Sequence, residues 1–152
     1  MLQISFQKQF IDKILSGKKT TTMRFGIRNY HELEGKRMEA VTGNRFQGKE
    51  PFATLVVSEV EKVIVQNPFL KGDLYWFIKS GFVPYELQYE DLDKLRETEG
   101  FANQKEMDEW FVKNLFEKAE LTVYEGYLIH FSVLAENPNQ LPLFVNSPDY
   151  SL

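Results

Sequence analysis

From Pro51 to Val65 the chain offers Phe52, Leu55, Val56, Val57, Val60, Val63, Ile64 and Val65 with no glycine between them. Aromatic and β-branched side chains suit a pleated, half-buried surface. A run longer than the usual five or six residues (roughly) of a strand is either one bent strand or two. This segment is the centre to which the other elements must add. On its N-terminal side, Leu2-Gln3-Ile4-Ser5-Phe6 alternates as a half-buried strand does. Phe10, Ile11, Ile14 and Leu15 then recur on one helical face, with Gly17 placed for a left-handed cap. Thr20 to Phe25 reads as a strand, residues 26–35 as a loop, and Arg37 to Thr42 as a strand ended by a Gly43-Asn44 turn.

On its C-terminal side, Asn67-Pro68 breaks the pattern. Asp73 to Ser80, with Leu74, Trp76, Phe77 and Ile78, is expected to be a short helix stopped by Gly81. Tyr89 to Thr98 is an acidic helix. Asn103 to Glu106 has the spacing of a capping box, and Met107, Trp110, Phe111 and Leu115 follow on one helical face. Leu121 to Val133 is a final apolar strand. The order does not alternate βαβα, so a doubly wound parallel sheet is disfavoured and an α+β fold is expected, a small barrel-like sheet with flanking helices. Residues 1–134 form one domain in this reading. Residues 135–152, rich in Asn and Pro, form an extended tail.

Composition narrows the chemistry. The 152 residues include no cysteine, which excludes disulfides, Cys-ligated zinc, Fe–S clusters and thiol catalysis. With His31 and His130 alone, no metal site and no cofactor are expected. The N-terminus is too short and polar for a secretory signal and no long apolar run exists, so a cytoplasmic protein without membrane attachment is expected. The net charge of −4 is unevenly spread: residues 1–49 carry ten Lys or Arg against four acids, and residues 50–152 carry eight against eighteen. A cationic first third points to an anionic partner. Arg28, Lys36, Arg37 and Arg45 would extend that region.

The cationic third contains Ile14-Leu15-Ser16-Gly17-Lys18-Lys19-Thr20-Thr21-Thr22-Met23-Arg24. On an extended strand Thr20, Thr22 and Arg24 point one way and Thr21 and Met23 the other. The first face would present hydroxyls and a guanidinium, which suit a phosphate or a polar base. This run resembles the helix–strand signature of the ASCH family, whose members resemble PUA domains. The later Glu97-Thr98-Glu99-Gly100-Phe101 resembles the family's second signature, an acid before Gly-Phe leading into a helix. The two signatures bracket roughly residues 3–132.

The resemblance implies a small β-barrel with flanking helices and a cleft for RNA or nucleosides. The motif is most similar to that of the small ASCH amidohydrolases that remove the acetyl group of N4-acetylcytidine. Their catalytic Lys, Thr and Glu fall on Lys19, Thr22 and Glu99, with Glu97 an alternative for the acid. Lys18, Thr20, Arg24, Arg28 and Arg37 would contact substrate or RNA. In that chemistry Thr22 is a nucleophile, a neutral Lys19 its base and Glu99 the proton donor to the leaving amine. Lys19 and Thr22 are three apart, so Lys19 must sit in the turn rather than on the strand. Other readings of the same surface are a non-catalytic RNA-binding module and an endoribonuclease.

Outside the motifs, Tyr30 with His31 could stack on a base, and Tyr75, Trp76, Phe77 and Trp110 suit core packing better than a base pocket. His130 is expected to be a core or edge histidine. Gln140-Leu141-Pro142-Leu143-Phe144 resembles the peptide with which bacterial replication and repair proteins dock onto the sliding clamp. Gln140 would make the polar contact and Leu141, Leu143 and Phe144 the apolar ones, as in a clamp-tethered accessory protein.

Overall fold

The computed structural model describes residues 2–26, 29–44, 48–67, 75–79, 85–86, 89–117 and 121–136. Arg28, Arg45 and the clamp-like Gln140, Leu141, Leu143 and Phe144 lie outside them. The fold is α+β: a mixed sheet with three helices. Among the described residues the sheet has seven strands. These are β1 (Leu2–Ser5), β2 (Thr21–Phe25), β3 (Arg37–Asn44), β4 (Gly48–Gln66), β5 (Trp76–Lys79), β6 (Tyr85–Glu86) and β7 (Val123–Glu136). The helices are α1 (Ile11–Leu15), entered through a 3-10 turn at Lys8–Phe10, α2 (Tyr89–Glu99), and α3 (Gln104–Phe111), which widens into a π turn over Val112–Phe116.

β4 is one long strand, the first of the two forms its sequence allows. One of its edges pairs with β7 from Ala53 to Gln66, through two register shifts that bend it. The other edge pairs with β3 up to Val56 and with β5 from Val63. The gap between them is filled by the segment after the 3-10 turn Tyr30–Leu33. There Gly35 N–H donates to Val57 O at 2.7 Å, and Val60 N–H donates to the Glu34 carboxylate at 3.0 Å. β1 joins β3 in parallel and β2 joins β7 antiparallel, with Thr22 opposite Ile129. Among the described residues the ladders leave β1 and β2 unjoined, so a closed barrel is not shown. Arg24 reaches across instead, donating to Ser5 O at 2.6 Å. The core gathers Ile4, Phe10, Ile14, Met23, Leu55, Val63, Phe77, Met107, Phe111 and Leu128.

Four local expectations are corrected. Trp76–Lys79 is a strand, not part of a helix: a short apolar run has no periodicity of its own, and the unpaired edge of β4 at Val63–Gln66 recruits it. Gly43 and Asn44 belong to β3, opposite Lys49 and Gly48, and are not a turn. The capping box is half formed. The Asn103 side-chain Oδ1 accepts from Glu106 N–H at 2.9 Å, but the Glu106 carboxylate accepts from Ala102 N–H. β7 continues to Glu136, opposite Ala53, two residues into the stretch expected as tail.

Candidate active site

α1 ends where its sequence says it should. Gly17 has φ +81°, and the backbone then doubles back so that Lys19 N–H donates to Lys13 O at 2.9 Å. This satisfies helix-end carbonyls and places Lys19 in the turn, two residues before β2. Its side chain enters the protein and is 3% exposed.

The other half of the site comes from the end of α2. Gly100 has φ +87°, its N–H donates to Glu97 O, and Phe101 N–H donates to Arg96 O, both at 3.0 Å. This pair of bonds is a Schellman cap in which Glu99 is the last helical position. The cap explains the Glu-Gly-Phe order: the acid ends the helix, the glycine takes the left-handed conformation, and the phenylalanine turns back to the core. Glu99 is thereby buried, 3% exposed, and Glu97 is left on the surface. Burial favours Glu99 over Glu97 as the acid of any internal site.

The two halves meet. Lys19 Nζ donates to Thr21 O at 2.8 Å and Glu99 O at 2.7 Å, and lies 3.6 Å from Glu99 Oε2. Thr21 Oγ1 donates to Glu99 Oε2 at 2.5 Å. Arg24 donates to Thr22 Oγ1 at 2.6 Å and to Met23 O at 2.8 Å, and its guanidinium lies 5.2 Å from the centre of the Phe6 ring. A cavity of about 180 Å³ opens over this group. Lys19, Thr22, Arg24 and Glu99 supply its polar wall, and Phe10, Phe101 and Trp110 its aromatic one.

Burial is the main force on the Lys19 ammonium. It lowers the pKa from 10.5 to about 8, with Arg24 and Lys13 adding to the fall and Glu99 opposing it. Burial also lowers the Arg24 pKa, against the pull of Glu99. A neutral Lys19 amine has two protons, one for each carbonyl it already serves, and a lone pair to spare. The ammonium has a third proton, which Glu99 can take. The surroundings therefore accommodate both protonation states.

Of the residues expected to act, Lys19, Thr22, Glu99 and Arg24 line one cavity. Thr20 does not: its N–H donates to Thr98 O and its carbonyl accepts from Phe131 N–H, so its backbone ties α2 to β7. The alternation that grouped Thr20 with Thr22 starts one residue late, because β2 begins at Thr21. Lys18 is exposed and lines a different cleft. Arg37 is exposed at the start of β3, away from the cavity wall. Among these four described cations, Lys19 and Arg24 line the cavity, and Lys18 and Arg37 are exposed and outside its lining.

Thr21 was not anticipated. Residue alternation assigns it to the face opposite Thr22, and only the tertiary position of α2 brings Glu99 to its hydroxyl. Trp110 is half-buried on the cavity wall, 6.1 Å from the Phe101 ring, while Tyr75 packs inward 4.8 Å from Phe111. Tyr30 and His31 both contact the Tyr127 ring, at 5.8 and 5.2 Å, the first tilted and the second edge-on.

A second cluster joins Glu59, Glu61 and His130, whose potential ligand atoms lie within 4.8 Å of one another. Lys79 already sits 3.2 Å from Glu61 Oε2, and His130 Nε2 lies 3.1 Å from the same oxygen. Although burial pushes the Glu61 pKa up, these two partners hold it below the ordinary carboxylate range. Among the described residues no helix is long and apolar enough to cross a membrane.

No protein-family model matches the chain, and no curated protein matches it. Two solved structures are similar to it in outline. A ZmASCH mutant protein from Zymomonas mobilis shares 13% identity over 91% of this chain and 76% of its own, with a TM-score of 0.43. The ASCH domain from Lactobacillus crispatus shares 15% identity over 87% of this chain and 79% of its own, with a TM-score of 0.46.

Proposed function

We propose that this protein is an ASCH-type amidohydrolase that removes the acyl group from an N4-acylated cytidine. The observation that carries the reading is the buried contact of Lys19 with Glu99 beside Thr22. Residues 80 apart in the chain are brought to 3.6 Å in the wall of a cavity. A structural ion pair gains little from such burial, because desolvation offsets the attraction. The resemblance of the two motifs supplies the substrate class.

The cavity is smaller than the roughly 300–1,000 Å³ of drug-sized sites, which suits one ring or an acyl group rather than a larger ligand. Arg24 donates to Thr22 Oγ1 and so stabilises the alkoxide that forms as Thr22 attacks the acyl carbonyl. The Thr22 proton passes to neutral Lys19. As the tetrahedral intermediate collapses, the C–N bond breaks and the amine nitrogen takes a proton from Lys19 by way of Glu99. Water then attacks the acyl-threonine, with Lys19 again as base; the C–O bond to Thr22 breaks, Lys19 returns the proton to Thr22 Oγ1, and the carboxylic acid leaves.

Thr22→Ala is expected to lower release of cytidine from N4-acetylcytidine by about a hundredfold or more, with Thr22→Ser retaining part of the rate. Undiminished turnover in Thr22→Ala overturns the nucleophile assignment. Binding of RNA without turnover by the unaltered protein would leave the non-catalytic module, and RNA cleavage in the presence of a chelator would leave the endoribonuclease.

A further inference from the structure

A second cleft, of about 470 Å³, lies at the turn that ends α2. Lys13, Lys18 and Arg96 line it together with Glu97, Gly100, Phe101 and Ala102. Gly100 touches residues of both spaces. A Cβ on Gly100 would stand 3.1 Å from Lys19 Cβ on one side and 3.3 Å from Lys13 Cδ on the other. Phe101 lines both spaces.

The cations of this cleft differ in how far they are already engaged. Arg96 is fully committed: it donates to Phe101 O and Ala102 O and pairs with Asp93 at 2.9 Å and Glu97 at 3.5 Å. It forms a fixed wall. Lys13 Nζ donates to Gly100 O and keeps two protons unassigned. Lys18 is exposed and has no ion pair or side-chain hydrogen bond among the described residues. The acid in the cleft, Glu97, has an exposed side chain, and its long contact to Arg96 is of the kind worth little at a surface.

We propose that this cleft binds a phosphate group through Lys13 and Lys18, and that it belongs to the substrate's own backbone. This rests on the amidohydrolase reading and deepens it: the acylated cytidine would be taken as a nucleotide or within RNA, base in the cavity and phosphate in the cleft. Two lysine ammoniums with unassigned protons supply charge-assisted hydrogen bonds to phosphate oxygens. The shared Phe101 wall makes the two spaces neighbours along one ligand.

Two measurements on the full-length protein test it. Titration with inorganic phosphate should give saturable shifts of the Gly100 and Ala102 amide resonances, weakened about tenfold or more in Lys18→Glu. Lys18 is exposed at the end of α1, so this variant should keep its thermal unfolding midpoint. Next, cytidine 5′-monophosphate should bind about tenfold more tightly than cytidine, and Lys18→Glu should bring that ratio to about one. Phosphate shifts without a nucleotide advantage would reduce the site to one for the free anion and overturn the backbone assignment. Absence of shifts at Gly100 and Ala102 would overturn the site altogether. A nucleotide advantage without deacylation of the N4-acetyl nucleotide would instead refute the amidohydrolase reading and leave the cleft standing.

Discussion

Lys19 carries a consequence for pH that is separate from its proposed chemistry. Its pKa falls from 10.5 to about 8 on folding, chiefly because the ammonium loses water. Below about pH 8 both folded and unfolded chains hold the proton, and the buried charge is a constant cost. Between about pH 8 and 10.5 the folded chain releases it while the unfolded chain keeps it, so stability should rise with pH across that window. The full gain is about 3 kcal/mol at most. Urea unfolding of the unaltered protein and of Lys19→Met, compared at about pH 7 and about pH 10, should show their difference moving toward the unaltered protein. A difference independent of pH would remove the depressed pKa. If neutral Lys19 is the base, turnover should rise through the same region near pH 8.

The helix ends set the site, and their two glycines separate conformation from contact. Gly17 and Gly100 both have left-handed backbones, at φ +81° and +87°. A Cβ on Gly17 would meet nothing within 4 Å, whereas one on Gly100 would press on Lys19 and Lys13. Gly17→Ala should therefore cost about 1 kcal/mol through conformation alone. Gly100→Ala should cost more, about 2–3 kcal/mol, and lower turnover as well, because Lys19 must move away from Glu99. Equal thermal shifts with equal rates would show that the Gly100 contact does not position Lys19.

The first of these ends was also among the most legible elements. Gly17 is a local rule written beside the helix it ends, and so is the α3 face through Met107 and Phe111, whereas the Glu-Gly-Phe order is legible only through the resemblance. What could not be read was set by distant pairing. Trp76–Lys79 became a strand because β4 had an edge to offer, and Thr21 became a partner of Glu99 because α2 ends above β2. Lys19, Thr22, Arg24 and Glu99 were identifiable as a group only through the resemblance. Alternation alone groups Thr22 with Arg24, which it meets, and with Thr20, whose role is in the backbone.

For the whole molecule, Arg24 bridges what the ladders leave open. It joins β2 to the end of β1 at Ser5 O, and β1 is otherwise held by its parallel pairing with β3. Arg24→Met keeps much of the apolar stem and removes the bridge. It should lower stability by about 1–3 kcal/mol and raise amide exchange in Leu2–Phe6 before it does so in β4 or β7. Uniform exchange across the sheet would mean that the bridge holds nothing of its own.

The uneven charge along the chain is likewise resolved at this scale. Two cations of the first third, Lys19 and Arg24, are folded inward against an acid from the anionic remainder. A chain-wide charge or a charge split by position reports neither that pairing nor the cleft beside it.

The ladder between β2 and β7 also sets an order of events. Thr21 waits for His130, and Thr22 for Ile129, more than a hundred positions later in the sequence. β1, β3 and β4 can associate while the chain is still being made, but the strand bearing Thr22 has its partner only once β7 has emerged from the ribosome. Such long-range closure is slow compared with local pairing. The wall of the cavity that bears Thr22 therefore waits on β7, long after β1, β3 and β4 can pair with one another.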